Sequence, residues 1–165
     1  MNYLVGKSLE EAKVWMAEAS EIAKHSKCHK KHSGSVIVKD GKIIGKGYSG
    51  PALDNESTRT CDDDDKYDYG TKPRFDRTCC IHAEWRALIE ALMTSSQKVS
   101  GSIMYYCSVD DSGMISKSGK PYCTVCSRLI LECGVSEFVL WHEDGICSYR
   151  AEEYNELSYS YLRKT

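Results

Sequence analysis

The amino-acid sequence predicts an α/β domain in which helices cover a mixed β-sheet that opens on an N-terminal hairpin. Two apolar, β-branched runs flank the dipeptide Asp40-Gly41, which predicts the hairpin. Apolar residues recur every three or four positions in several other segments, which predicts helices. Short apolar runs alternate with these helices, so we expect helix-linked strands and a single domain over residues 1–165.

The N-terminal part of the chain predicts a helix followed by the hairpin. We expect the helix over residues 8–26, because Ser8 and Glu11 form a capping-box pattern at its start. The hairpin follows over residues 35–48. The predicted buried face of the helix carries Leu9, Ala12, Met16, Ala19 and Ala23.

The segment over residues 51–79 has neither helical nor strand periodicity. A stretch of this length without secondary structure is uncommon in a compact domain, so we expect a functional loop that closes over a ligand as a lid. Its acidic run, residues 62–65, lacks the spaced ligands of a calcium-binding loop. We interpret this run as a solvated surface segment.

Helices and strands alternate in the second half of the chain. One helix is predicted to begin near His82, and another to run over residues 122–133 and end at Gly134. Two strands and a closing helix are predicted over residues 101–109, 135–141 and 151–162. On the helix that begins near His82, the residues predicted to be buried are Trp85, Leu88, Ile89 and Leu92. On the helix over residues 122–133, they are Tyr122, Cys126, Leu129, Ile130 and Cys133.

Composition bounds the classes of protein to which the chain can belong. Its 165 residues carry a formal net charge of -2, with 41% hydrophobic and 28% charged residues, which is typical of a globular protein. This charge gives no general attraction to nucleic acid or to anionic membranes. No apolar run approaches the ~20 residues of a membrane span. Nine cysteines without a leader of secretory type favour a cytoplasmic protein with metal-binding or catalytic thiols.

Two short motifs contain residue types that bind zinc. His82 and Glu84 lie at the predicted start of one helix, in CCIHAEWRAL, and Cys123 and Cys126 lie at the start of the next, in KPYCTVC. One imidazole and two thiolates make three ligands for tetrahedral Zn²⁺ and leave a fourth position for water, as in catalytic zinc sites. Glu84 is then placed to transfer protons during a hydrolytic reaction. The alternatives are a structural zinc site and plain core thiols.

The chain resembles the cytidine/deoxycytidylate deaminase superfamily, most closely its deoxycytidylate (dCMP) deaminase branch. The resemblance rests on SVIVKDGKIIGKGYSGP, on HAE and on CTVCSRLILECGVSEFVL, and it covers residues 8–140 or so. It implies a three-layer α/β/α fold and hydrolytic deamination of a cytosine nucleotide or nucleoside, with dCMP to dUMP first. It also implies that His82, Cys123 and Cys126 hold zinc, that Glu84 transfers protons and that the chain forms a homo-oligomer.

Three departures from the branch's pattern concern substrate binding. Tyr122 precedes the first zinc cysteine where the family has proline, which would bring its ring to the edge of the pocket. Ser49 stands where the branch has an asparagine that contacts the sugar. Lys30 and Lys31 lie where the branch tends to carry arginine, and we expect them to neutralise a 5′-phosphate without arginine's bidentate fork.

A second group of cysteines leaves two interpretations open. The group could hold a structural zinc that ties down the long loop, as in some members of the branch. Its spacings fit no fixed zinc template, which favours reduced thiols and surface histidines. The residues concerned are Cys28, Cys61, Cys79 and Cys80, with His25, His29 and His32 nearby in sequence.

Two other functions also stay open. The first is deamination of another amino-heterocycle, such as adenine in RNA, guanine or a pterin. The slightly acidic balance disfavours RNA, which would require a basic groove.

The second is a non-catalytic zinc-binding scaffold, which Glu84 disfavours because a scaffold has no use for a carboxylate beside an open zinc position. We therefore expect a small nucleotide or nucleoside as partner, and neither nucleic acid nor a membrane.

Overall fold

The computed structural model describes residues 1–61, 78–117 and 120–160. Its helices are α1 (Gly6–Ala23), α2 (Ala83–Ser95), α3 (Thr124–Glu132) and α4 (Ala151–Ser160). Its strands are β1 (Asn2–Tyr3), β2 (His32–Lys39), β3 (Lys42–Tyr48), β4 (Gly50–Pro51), β5 (Cys80–Ile81), β6 (Ile103–Val109), β7 (Ile115–Ser116), β8 (Glu137–His142) and β9 (Gly145–Arg150).

The central sheet is mixed, as the sequence predicts. Its strand order is β1-β9-β8-β6-β2-β3, with β7 paired to β6. Strands β6 and β8 run parallel, and the other paired strands of this sheet run antiparallel. Strands β4 and β5 form a separate short antiparallel ladder. This ladder joins the end of the hairpin to the residues directly before His82.

The predicted hairpin is confirmed in β2 and β3. Asp40 and Gly41 have φ angles of 50° and 67°, so both lie in the left-handed region that a two-residue hairpin turn of type I′ requires. Lys39 pairs with Lys42 on either side of the turn. At the other end of the hairpin, Gly34 pairs with Tyr48, which brings the connector after α1 close to the end of β3.

Helices cover both faces of the sheet, so the expected three-layer α/β/α arrangement is confirmed. Helix α1 packs on one face, in a cluster that includes Met16, Val36 and Ile146. Helices α2, α3 and α4 contribute to the cluster on the other face, which includes Leu88 and Ile130. Among the described residues, no helix is both long enough and apolar enough to cross a membrane.

The predicted capping box of the first helix is wrong. Helix α1 begins at Gly6 rather than at residue 8, so Ser8 lies within its first turn. The Ser8 hydroxyl donates to the Val5 carbonyl oxygen at 2.9 Å and does not cap a helix N–H group. The predicted face nevertheless turns inward, with Ala12, Met16, Ala19 and Ala23 buried.

The predicted buried face of α2 is also wrong in part. Leu88 is buried, but the side chains of Ile89 and Leu92 are 49% and 42% exposed. The face that the helix buries is made mostly of small residues: Ala83, Glu84, Ala87, Leu88 and Ala91. The predicted buried face of α3 differs in the same way, because Leu129 is 39% exposed and Tyr122, which lies before the start of the helix, is 70% exposed.

Close packing of β3 against α2 explains this rotation of the buried face. A Cβ atom at Gly45 would lie 2.2 Å from the Ala87 carbonyl oxygen, and one at Gly47 would lie 2.5 Å from the Ala83 carbonyl oxygen. Glycine on the strand and alanine on the helix therefore let the two backbones approach, whereas the larger side chains of α2 face outward. Glu84 shares the alanine face and is only 6% exposed.

The structure contains strands beyond those predicted from the sequence. Strand β9 follows β8 through a two-residue turn at Glu143 and Asp144, since His142 pairs with Gly145. Strand β7 follows β6 and pairs back with it. The described part of the predicted lid starts within β4 and contains two short 3-10 turns, and β5 follows the lid directly. The rest of the lid, including the acidic run 62–65, lies outside the described residues.

Candidate metal and catalytic site

Three predicted zinc ligands converge in the structure. In the part of the chain that the structure describes, His82, Cys123 and Cys126 bring their ligand atoms within 4.8 Å of one another. His82 Nδ1 lies 3.1 Å from Cys126 Sγ and 3.6 Å from Cys123 Sγ. Usual Zn–N and Zn–S lengths around a tetrahedral ion place such ligand atoms about 3.6 Å apart. The donor set and its spacing therefore fit zinc.

Two helix starts position these ligands. His82 is the N-cap residue of α2, and Cys123 is the N-cap residue of α3. Cys126 lies one turn further along, and its backbone N–H donates to Cys123 Sγ at 3.3 Å. Because the N-terminal end of a helix carries partial positive charge, this placement stabilises thiolate at Cys123.

The pKa values at the site fit metal ligation by thiolate. The hydrogen bond with Cys126 and that with His82 lower the pKa of the Cys123 thiol to about 4, although burial opposes the change. The hydrogen bond with Cys123 raises the pKa of His82, and the negative charge of Glu84 raises it further against the effect of burial. The imidazole and the thiol thus form a mutually stabilised pair in the absence of a cation.

Glu84 lies buried beside this group in the first turn of α2. Its carboxyl group lies within hydrogen-bonding reach of the Cys126 thiol. Burial raises the pKa of the Glu84 carboxyl, and the nearby His82 charge opposes this shift. A raised pKa makes a carboxylate a better proton acceptor than an exposed one, and general acid–base catalysis requires a group that accepts a proton and returns it.

Aromatic residues that the sequence analysis did not select surround the site. The Trp85 ring stacks on the His82 ring, with centroids 5.1 Å apart and planes 19° apart. The Tyr106 hydroxyl lies 3.0 Å from Ser33 Oγ, and the Lys31 ammonium lies 5.9 Å from the centre of the Tyr106 ring. A sequence signal existed for Tyr106, since alternation along β6 places it on the face opposite Tyr105.

The structure places Ser49 in a network of hydrogen bonds within the protein. Its hydroxyl lies 2.8 Å from Ser26 Oγ, donates to the Lys31 carbonyl oxygen at 3.0 Å and accepts from the Ser33 N–H at 3.2 Å. Ser49 is buried, and these bonds tie the connector after α1 to the end of β3. A contact between Ser49 and a sugar would compete with this network and stays a prediction.

The other predicted substrate residues lie at the surface. Lys30 and Lys31 are exposed on the connector. Tyr122 directly precedes Cys123, and its side chain is 70% exposed. These positions leave all three side chains accessible to a ligand at the rim, and their contacts with substrate stay predictions.

The second group of cysteines forms a chain of contacts. The Cys79 and Cys80 sulfurs lie 3.9 Å apart, Cys61 lies within hydrogen-bonding reach of Cys79, and Cys28 lies within reach of Cys80. Burial alone would raise the pKa of Cys79, but hydrogen bonds with the Thr60 and Cys61 backbone and the Cys61 thiol lower it to about 7. All four thiols are half-buried, and Cys79 and Cys80 lie directly before Ile81 and His82 in the sequence.

Comparison with known families and proteins supports the resemblance noted from the motifs. The model of the cytidine and deoxycytidylate deaminase zinc-binding region matches residues 9–142. The deoxycytidylate deaminase of Saccharomyces cerevisiae is 30% identical in an alignment of 145 positions that covers 84% of this chain and 38% of that protein. The deoxycytidylate deaminase of Schizosaccharomyces pombe is 28% identical in an alignment of 135 positions that covers 76% of this chain and 35% of that protein. The chain thus spans less than two fifths of these curated relatives.

Solved structures share the fold. The dCMP deaminase of cyanophage S-TIM5, solved in complex with dCMP and dUMP, aligns with a TM-score of 0.56 over 82% of each chain at 23% identity. The cytidine deaminase of Burkholderia pseudomallei aligns with a TM-score of 0.56 over 86% of this chain and 94% of that chain, at 18% identity. The family match covers the hairpin and all three zinc-ligand positions, so the chain belongs to the family of the cytidine and deoxycytidylate deaminase zinc-binding region.

Proposed function

We propose that the chain is a zinc-dependent hydrolase that deaminates a cytosine nucleotide, with dCMP converted to dUMP. The observation that carries this proposal is the convergence of His82, Cys123 and Cys126 beside the buried carboxyl group of Glu84. Two curated relatives named deoxycytidylate deaminase support the choice of substrate. So does the cyanophage enzyme of similar fold that was solved with dCMP and dUMP.

The proposed reaction consumes water and releases ammonia, so that a cytosine ring becomes a uracil ring. His82, Cys123 and Cys126 would hold a zinc ion, which would supply the Lewis acidity that lets water ionise near neutral pH. The Glu84 carboxylate accepts a proton from the attacking water and delivers it to the ring nitrogen. Glu84 then carries the second proton of the water to the amino group, which departs as ammonia, so one carboxyl group serves both transfers.

Lys30 and Lys31 support a phosphorylated substrate. The Lys31 carbonyl oxygen accepts a hydrogen bond from Ser49 at the end of the hairpin, and the Lys31 ammonium lies 5.9 Å from the centre of the Tyr106 ring. Burial raises the pKa of the Tyr106 hydroxyl, and the nearby charge of Glu84 raises it further, so Tyr106 lies between Lys31 and the candidate site. A 5′-phosphate at the connector would thus be in reach while the base occupies the site. Lysine contributes charge but no bidentate geometry, so we expect a modest preference for the monophosphate.

The four-cysteine chain supports a second, structural zinc, to which Cys28, Cys61, Cys79 and Cys80 would contribute. Four thiols are the donor set of a closed zinc site, and each of these touches at least one of the others. Among the described residues only His82, Cys123 and Cys126 bring three ligand atoms within 4.8 Å of one another, so the four thiols would have to move closer together to share one ion. Such a site would tie the connector after α1 and the loop end at Cys61 to the strand that leads into His82. The alternative is that these residues are reduced thiols.

Exposed apolar side chains on α2 support a homo-oligomer. Ile89, Leu92 and Met93 are 49%, 42% and 81% exposed on the helix that carries His82 and Glu84. A second copy of the chain would cover this stripe and remove its apolar surface from water. All nine cysteines are free thiols, which supports a reducing compartment such as the cytoplasm.

Replacement of Cys126 by serine should remove the catalytic zinc. A serine hydroxyl is a poor neutral ligand in place of a soft thiolate, so the zinc content measured by elemental analysis should fall by about one equivalent per chain. Cys133→Ser is the matched control, because Cys133 lies one residue beyond the end of the same helix and should leave zinc unchanged. Full zinc retention in Cys126→Ser would exclude Cys126 from the ligand set.

Replacement of Glu84 by glutamine should leave the zinc in place and abolish most turnover. The amide keeps the shape of the side chain but does not accept a proton, so kcat for dCMP should fall about 10²–10⁴-fold. Ammonia release measures the rate, and elemental analysis measures the metal. The exposed Glu132 on α3 provides the control Glu132→Gln, and activity of Glu84→Gln near that of the parent would require another base.

Replacement of both Lys30 and Lys31 by alanine should raise KM for dCMP about tenfold and leave KM for deoxycytidine unchanged. The control is the double variant Lys42→Ala/Lys98→Ala, which removes the same charge from two exposed positions outside the connector. Ammonia release from free bases, nucleosides and nucleotides, guanine and pterin compounds included, defines the parent's preference. If the parent deaminates unphosphorylated nucleoside faster than dCMP, the proposed contact between the lysines and a phosphate is wrong, although the proposed deaminase activity is not.

The parent protein should contain about two zinc ions per chain if the second group of cysteines closes around a metal. The double variant Cys61→Ser/Cys79→Ser should then contain about one, and it should keep the zinc that His82 holds. A parent with about one zinc, unchanged by the double substitution, would identify these residues as reduced thiols. Elemental analysis after exhaustive dialysis separates the two results.

A further inference from the structure

The turn that follows β4 has a strained backbone. Leu53 and Asp54 have φ angles of 54° and 55°, in the left-handed region that residues other than glycine seldom adopt. The Leu53 side chain is also 99% exposed, so burial of this apolar side chain does not compensate for the strain. Strained segments persist only where their surroundings hold them, and they concentrate at functional sites.

One side chain, Arg86, holds both ends of this turn. Its Nη1 atom lies 2.8 Å from Asp54 Oδ1, and its Nη2 atom donates to the Pro51 carbonyl oxygen at 2.6 Å. Its guanidinium carbon lies 4.7 Å from the centre of the Tyr48 ring, and the Tyr48 hydroxyl donates to the other oxygen of Asp54. The guanidinium thus makes an ion pair, a hydrogen bond to the backbone and a cation–π contact at once.

These contacts are partly buried and mutually reinforcing. The side chains of Arg86 and Asp54 are 19% and 31% exposed. Burial would raise the pKa of Asp54, but the hydrogen bonds from Tyr48 and Arg86 lower it overall, so the carboxylate is charged at neutral pH. Lysine at position 86 would keep the charge and lose the planar fork that reaches two acceptors.

Arg86 also connects the turn to the candidate site. It lies two residues after Glu84, and its backbone N–H donates to the His82 carbonyl oxygen at 3.2 Å. On the other side, Pro51 pairs with Cys80 in the β4–β5 ladder, two residues before His82. The strained turn is therefore attached to the first turn of α2 through a side chain and to the strand before His82 through the backbone.

We propose that Arg86 is a positioning residue that clamps the turn at 52–54 against the first turn of α2, so that the turn forms a preset wall for substrate beside His82 and Glu84. The role in substrate binding rests on the proposed function. Because Arg86 contacts the turn and Tyr48, its loss should affect substrate binding more than the chemical step. Zinc binding should not depend on it.

The test compares Arg86→Ala, Arg86→Lys and the parent as zinc-loaded proteins. Arg86→Ala should raise KM for dCMP about tenfold and change kcat less than about threefold, with unchanged zinc content. Arg86→Lys should restore part of the loss. The control is Arg150→Ala, which removes an arginine that is 79% exposed in a surface ion pair with Glu152. An unchanged KM in Arg86→Ala, or a fall in kcat alone, would overturn the positioning role.

A double-mutant cycle tests the clamp itself. If Arg86 acts through Asp54, the variant Arg86→Ala/Asp54→Ala should have nearly the same KM as Arg86→Ala, whereas additive effects would overturn the proposed coupling. Backbone amides at 50–56 should exchange faster with solvent deuterium in Arg86→Ala than in the parent. If the parent deaminates no cytosine compound, the proposed function fails, and this exchange alone decides: faster exchange supports the clamp and unchanged exchange overturns it.

Discussion

The close approach of β3 to α2 is the constraint on which the candidate site depends. Glycines at 45 and 47 meet the backbone of α2 where any Cβ atom would collide with it. This contact sets the rotation of α2 about its axis and turns the face that carries Ala83, Ala87 and Ala91 toward the sheet. Glu84 belongs to the same face, so it is buried as a consequence of backbone packing and not because its own side chain favours the interior.

A buried carboxyl group is costly unless its surroundings compensate for the lost hydration. Here the neighbours of Glu84 are His82, whose positive charge favours the carboxylate, and the thiols of Cys123 and Cys126. A divalent cation would be bound by these three residues and would add positive charge beside the carboxylate. The same burial that raises the pKa of Glu84 makes it suitable for proton transfer near neutral pH. Packing, electrostatics and the proposed chemistry therefore share one origin, the glycine contacts of β3.

Local patterns were sufficient to predict the metal site, but not what surrounds it. Cys123 and Cys126 are candidate ligands on a single helical turn, and His82 caps a helix, so their spacing and the helix starts predict their positions. The sequence pattern predicts the wrong buried face for α2 because hydrophobicity favours Ile89 over alanine, whereas the strand opposite α2 accepts only small residues. Strand β9 pairs with β8 across the turn at Glu143 and Asp144, and this dipeptide is not one of the strong hairpin signals.

Contacts between residues far apart in sequence explain what the sequence could not predict. Arg86 meets Asp54 and Pro51 across more than thirty residues, and Ser49 meets Ser26 and Lys31 across the hairpin. No periodicity marks such pairs, since periodicity reports only on residues within one helix or strand. The ligands sit on helix starts that local sequence determines, whereas the rim of the site is built from these long-range contacts. If the proposed function holds, changes at the rim should alter which substrate is accepted while the metal geometry stays the same, so the proposed determinants of substrate choice are Arg86, Ser49 and the connector lysines rather than the candidate zinc ligands.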